Sequence, residues 1–147
     1  MPDQGRDIWT NQYSELCDWV KSKGYDVVCY TDADDKLEFE EKRIHIDSRQ
    51  HAENRFYTLI HECGHLLISQ TANQFQKDHP MYATSSDSRR CRSKAYQVSL
   101  IAEEIEAWKR GRRLANRMGL FINDNKFDRI MTNCVMSYIA DAAVIAG

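Results

Sequence analysis

At 147 residues, with 42% hydrophobic and 29% charged residues, the chain has the size of one ordinary domain and enough apolar content to bury one sizeable core. A net charge of −2 excludes a molecule whose overall field gathers nucleic acid, and no run approaches the roughly 20 apolar residues of a membrane span. Asp3, Arg6 and Asp7 interrupt the N-terminal stretch where a secretory signal would be apolar, so a soluble protein of the cytoplasm, without a membrane partner, is expected.

Five cysteines (Cys17, Cys29, Cys63, Cys91 and Cys134) occur without a CxxC pair, and their odd number leaves one unpaired whatever the others do. Reduced thiols, most of them small core residues, fit best. Neither an internal repeat nor a Pro/Gly/Ser linker divides the chain, which reads as one domain over residues 1–147.

From Ile8 to Ser22, Trp9, Tyr13, Leu16, Trp19 and Val20 recur at helical spacing, and Gly24 follows as a stop signal. Asp26 to Thr31 is strand-like. Leu37 and Phe39, then Ile44 and Ile46, alternate with polar residues as half-buried strands do, with Asp32 to Asp35 as the natural turn. From about His51 to Gln70 a helix carries Phe56, Leu59, Ile60, Cys63, Gly64, Leu66, Leu67 and Ile68 around most of its circumference, and must be buried. Its one polar sector holds Thr58, His61, Glu62, His65 and Ser69. Thr71 to about Arg90 reads as a long loop of the kind that covers substrates. A helix from about Cys91 to Met118, stopped by Gly119, and another from about Lys126 to Ile145 complete the pattern. The last has Phe127, Ile130, Met131, Cys134, Val135, Tyr138 and Ile139 on its apolar face, with Asn123 or Asp124 as its cap. The elements predict an α+β fold with about four helices and a small antiparallel sheet of two or three strands.

His61-Glu62-Cys63-Gly64-His65 is an H-E-x-x-H motif on the buried helix. Residues four apart sit one turn above each other, offset by about 40°, so both imidazoles can reach one zinc ion at roughly 2.0–2.1 Å. Glu62 lies about 100° from His61, beside the metal, where a carboxylate can take a proton from a zinc-bound water. The alternative has both histidines as hydrogen-bonded core residues and Glu62 as a surface charge. Gly64 weighs against that alternative. Glycine inside a helix costs about 1 kcal/mol against alanine, and its presence suggests that another backbone passes close by.

A catalytic zinc needs a third protein ligand and an open position. In the helix from Cys91 to Met118, steps of about 100° place Leu100, Ile101, Ala107, Trp108, Gly111, Ala115 and Met118 on one face, with Glu104 near its centre. Glu103 and Glu106 fall outside. A carboxylate within an apolar stripe is costly unless paired or bound to metal, which singles out Glu104; its alternative role is a buried salt bridge to an arginine. Because histidine ligands must be neutral, activity should fall below about pH 6.

The motif His61 to His65, followed by Glu103-Glu104-Ile105-Glu106-Ala107-Trp108, resembles the small zincin peptidases of the ImmA/IrrE type and their relatives in phages and mobile elements. Members pair an H-E-x-x-H helix with a later glutamate in an E-x-x-A setting, matched here by Glu104 and Ala107. The resemblance covers roughly residues 44–120 and implies a zincin-like, minigluzincin-like domain that hydrolyses a peptide bond in a protein or peptide substrate. It also implies a substrate lying along a sheet edge, with Arg43 to Asp47 as that edge strand.

An oxyanion would want a further donor, and His79, Tyr82 and Tyr138 are the candidates, although a tyrosine in an apolar helical stripe is usually core. Cys63 points to the apolar side and reads as packing. Nine Lys or Arg residues between Arg89 and Arg117 could bind nucleic acid or an acidic protein. A solvated face in which Glu106 pairs with Arg110 is the simpler reading, since no aromatic residues are interleaved among the charges. A rival function follows: a non-catalytic zincin scaffold that binds such a partner through the basic strip. The intact Glu62 argues against it.

Overall fold

A computed structural model describes residues 4–71, 73, 77–78 and 92–147. Helix α1 (Gln4–Ser22) buries Leu16 and Val20 completely and turns at Gly24, whose φ of +84° only glycine adopts without strain. Strands β1 (Asp26–Tyr30), β2 (Lys36–Glu38) and β3 (Arg43–Asp47) form a sheet in the order β1-β3-β2. In β3, Ile44 and Ile46 are fully buried while Arg43, His45 and Asp47 face the other way, as a period of two requires.

The sheet is mixed, not antiparallel. β3 pairs with β1 in parallel (Val27 opposite Ile44, Cys29 opposite Ile46) and with β2 in antiparallel fashion (Leu37 opposite Ile44). The turn after β1 is present, with Asp32 at a φ of +62°, but it carries the chain to the far edge before β3 returns to the middle. Arg43 to Asp47 is therefore the central strand, and the edge beside the motif helix is β2.

Helix α2 (Ala52–Gln70) is buried on nearly every side, with Phe56, Tyr57, Leu59, Ile60, Cys63 and Leu66 inaccessible to solvent. It crosses α3 (Lys94–Arg117) at very close range. A Cβ on Gly64 would lie 1.8 Å from the Ala107 carbonyl oxygen, and one on Gly111 would lie 2.3 Å from that of Ile60. The close approach expected from Gly64 is real, and Gly111 is its counterpart on the opposite helix. Cys63 is wholly buried, as packing demanded.

α3 begins three residues later than its periodicity suggests, because the Ser93 side chain caps it by accepting from the Tyr96 N–H at 3.1 Å. After a turn at Gly119, α4 (Asp124–Ala146) is capped by Asn123, whose side chain accepts from Lys126 N–H. Its expected apolar face is only partly covered: Phe127 is buried, Ile130, Cys134 and Tyr138 are half-buried, and Ile139 is 41% exposed. Part of that face lines a cleft rather than the core. Among the described residues no helix is long and apolar enough to cross a membrane.

Candidate metal centre

His61, Glu62 and His65 come from the single polar sector of α2, and Glu104 from the middle of the apolar stripe of α3. The Gly64–Ala107 crossing sets the two helices close enough for these side chains to meet. His61 Nε2 lies 2.8 Å from Glu104 Oε2, His65 Nε2 lies 3.1 Å from Glu104 Oε1, and the two Nε2 atoms are 3.1 Å apart. One ligand atom from each residue fits within 4.8 Å of the others, and no other such group exists among the described residues. Donors about 2.0–2.1 Å from a tetrahedral ion stand roughly 3.3 Å from each other, so separations of this size are close to what a zinc ion needs.

The chemistry of the set agrees. Both histidines turn Nε2 inward, and each Nδ1 faces a carboxylate: His61 Nδ1 is 3.6 Å from Glu62 Oε1, and His65 Nδ1 is 3.6 Å from Glu103 Oε1. A carboxylate on the outer nitrogen orients a ligating imidazole and raises its basicity, and Glu103 takes that position beside His65. Two ring nitrogens aimed at each other in a buried site also require a cation or a proton between them. Burial alone would lower the pKa of His65, but hydrogen bonds to Glu103 and Glu104 outweigh it and raise the value to about 10. Burial would raise Glu104, yet its hydrogen bonds to His61 and His65 hold it at about 2. Among the described residues no arginine pairs with Glu104, whose carboxylate meets His61 and His65 instead.

A sign follows for the metal-free protein. The depressed Glu104 contributes stability that is full above pH 4.5 and lost as pH falls toward 2; the raised His65 contributes stability that is full below pH 6.5 and lost as pH rises through 10. The pairing is thus strongest between pH 4.5 and 6.5. Metal must displace the His65 proton, so titration with zinc near pH 7.5 should release about one proton per ion, and affinity should climb as pH rises. Calorimetry in buffers of different ionisation enthalpy measures this; a buffer-independent heat would contradict the arrangement.

Glu62 is 4% exposed and belongs to none of the three donor positions. Burial raises its pKa, opposed by the charges of His61 and His65 and reinforced by Glu104 and Asp35. A carboxylate whose pKa burial raises is better suited to accept and return a proton than a solvated one. Tyr138 lines the same cleft, its hydroxyl proton held by burial and by the neighbouring Glu104 carboxylate. His79 and Tyr82 lie outside the described residues, as does most of the expected loop from Thr71 to Arg90.

Sequence reasoning assigned no supporting role in the site to Trp108, Glu103, Asp35, Leu37 or Phe39. Trp108 stacks on the His61 ring, with centroids 4.3 Å apart and planes 7° from parallel, fixing one ligand from behind. Its position one turn beyond Glu104 in the same stripe was the available signal. Glu103 was placed off the core face, yet its side chain is 12% exposed and reaches His65. Asp35, Leu37 and Phe39, around β2, form one wall of the cleft, which has a volume of about 470 Å³. Asp35 is itself anchored, accepting from the Asp47 backbone N–H at 2.8 Å and from the Gln50 side chain.

Three members of the basic strip are tied up within the fold. Glu106 receives both Arg110, at 2.8 Å, and Arg113, at 3.2 Å, while Arg112 pairs with Asp128 and lies 4.3 Å over the Phe127 ring. Arg89 and Arg90 fall outside the described residues. His45 bridges Tyr30 and Glu38 across the sheet.

No family model, curated protein or solved structure matches this chain.

Proposed function

We propose that the chain is a zinc-dependent peptidase of the zincin type, its metal held by His61, His65 and Glu104. The observation that carries this reading is the convergence of those three side chains with Glu62 beside them and outside the donor triangle. Two imidazoles and one carboxylate form a donor set suited to a catalytic zinc, which leaves one position open. The likeness of the motifs to ImmA/IrrE-type peptidases supports the same assignment.

When bound, the ion supplies Lewis-acid polarisation of the attacking water and of the substrate carbonyl. The protein provides the rest. Glu62 accepts the proton of the attacking water and delivers it to the departing amine. Tyr138, whose hydroxyl proton is held by burial and the Glu104 carboxylate, donates a hydrogen bond to the carbonyl oxygen as negative charge builds on it. Among the described residues β2 has a neighbour on one side only, so its other edge can pair with an extended peptide and set the scissile bond over the metal. The substrate is accordingly a protein or peptide segment that can be drawn out into a strand. The setting assigned is the cytoplasm, in keeping with the free thiols of Cys17, Cys29, Cys63 and Cys134.

Purified protein should carry about one zinc per chain and cut an unfolded protein substrate, and His65→Ala should lose both the metal and the cleavage. Chelation should abolish cleavage and zinc restore it. A wild-type chain that takes up no metal would end this reading.

A further inference from the structure

A second cavity, of about 290 Å³, lies where the end of α2 meets the C-terminal half of α3, and none of its lining residues also lines the metal cleft. Leu67 and Thr71 come from the α2 side. Glu106, Arg110, Arg113 and Arg117 come from α3, where intervals of four, three and four residues keep them on one face. Three guanidinium groups thus share the cavity with a single carboxylate. Glu106 Oε1 accepts from Arg110 Nε at 2.8 Å and from Arg113 Nη2 at 3.2 Å, so the two arginines divide one negative charge between them. Arg117 suits the negative end of α3, yet it has no acidic partner among the described residues. A surplus of two positive charges is left in a concave site.

The donors there are partly held in place. Arg110 is fixed at Nε by Glu106 and at Nη1 by the Thr71 hydroxyl oxygen. Thr71 in turn closes the end of α2: its N–H and hydroxyl donate to the Leu67 and Ile68 carbonyls, which would otherwise repel an anion. A guanidinium carries five N–H donors, so most of those on Arg113 and Arg117 remain to be matched.

We infer that this cavity binds a phosphate monoester or free phosphate. Charge decides among the anions. Near pH 7 a monoester carries about −1.5 to −2 and three strong acceptor oxygens, which matches the surplus. A carboxylate or a phosphodiester carries about −1 and leaves one guanidinium unanswered. Planar arginine forks also suit a phosphate, whose oxygens they can meet in pairs. Binding there needs neither the metal nor Glu62, so it stands apart from the peptidase reading.

The test uses the full chain as purified and four small probes, with affinities read by calorimetry at neutral pH and low salt: inorganic phosphate, N-acetylphosphoserine amide, N-acetylaspartate amide and dimethyl phosphate. The better of the first two should bind at least about tenfold more tightly than either singly charged probe. Arg113→Gln and Arg117→Gln, both at exposed positions where folding is not at stake, should each weaken it about tenfold. Arg117→Lys, which keeps the charge and loses the fork, should weaken it about threefold. His65→Ala should leave it unchanged, because an anion held by metal would be lost in that variant instead. Binding no tighter than that of the singly charged probes, no binding at all, or binding lost in His65→Ala and kept in both glutamine variants would overturn the inference. Tighter binding of the phosphoserine probe than of inorganic phosphate would assign the group to a phosphorylated side chain; equal or weaker binding would assign the site to free phosphate.

Discussion

A Glu62→Gln protein is expected to retain its full complement of zinc and to hydrolyse peptides about 10²- to 10⁴-fold more slowly than the parent. The side chain is replaced by one of nearly equal shape that cannot take a proton. Glu62 is 4% exposed and approaches His61 on its Nδ1 side at 3.6 Å, away from the Nε2 atoms that face Glu104, so none of the three donors is disturbed. Folding should not suffer either. Burial already disfavours the ionised carboxylate, so a neutral amide removes a desolvation cost. The measurements are metal content, thermal stability and single-turnover cleavage on the same preparation. Unchanged cleavage would dismiss Glu62 as the base, and loss of zinc would make it a ligand. The same variant separates catalysis from the rival role as a non-catalytic scaffold, whose biological effect would survive the substitution.

The parts of this centre that were legible in the sequence are those set by helical pitch. His61 and His65 sit one turn apart by construction, and the apolar stripe of α3 isolates Glu104 because an unpaired carboxylate there would be costly. Gly64 announced a close helix crossing for a similar reason: nothing else explains a glycine in so apolar a helix.

What escaped was information that pitch does not carry. A strand has the same two-residue alternation whether its neighbour runs parallel or antiparallel, so Ile44 and Ile46 could place β3 in a sheet but not in its centre. Glu103 falls off the α3 stripe by angle, yet its carboxylate still comes within 3.6 Å of His65 Nδ1. Trp108 was visible as an apolar residue, but only the crossing of two helices shows that its ring lies flat on His61. The half-open face of α4 misled in the opposite direction, since an apolar row that lines a cleft has the same spacing as one that fills a core.

The crossing itself leads to the largest expected effect on stability. Gly64→Ala and Gly111→Ala would each improve the intrinsic helix propensity by about 1 kcal/mol, and on that ground alone both should stabilise the protein. The structure reverses the sign. At Gly64 the new methyl group would stand 1.8 Å from the Ala107 carbonyl oxygen, and at Gly111 it would stand 2.3 Å from the Ile60 carbonyl oxygen. Both obstacles are backbone within helices and cannot rotate aside, so α2 and α3 must part by an ångström or more. Overpacking against yielding side chains costs about 1–3 kcal/mol; against rigid backbone the cost should lie at or above the upper end of that range. Gly119→Ala gives a calibrating comparison, because its φ of +72° carries a modest backbone strain while no atom lies within 4 Å of the new methyl group. Denaturant unfolding should therefore rank Gly64→Ala well below Gly119→Ala, and a Gly64→Ala protein as stable as the parent would refute the crossing. The separation has a chemical consequence as well. Ala107 lies on α3 one turn beyond Glu104, so a shift that relieves the clash also draws that carboxylate away from His61 and His65, and zinc affinity should fall even where the fold survives.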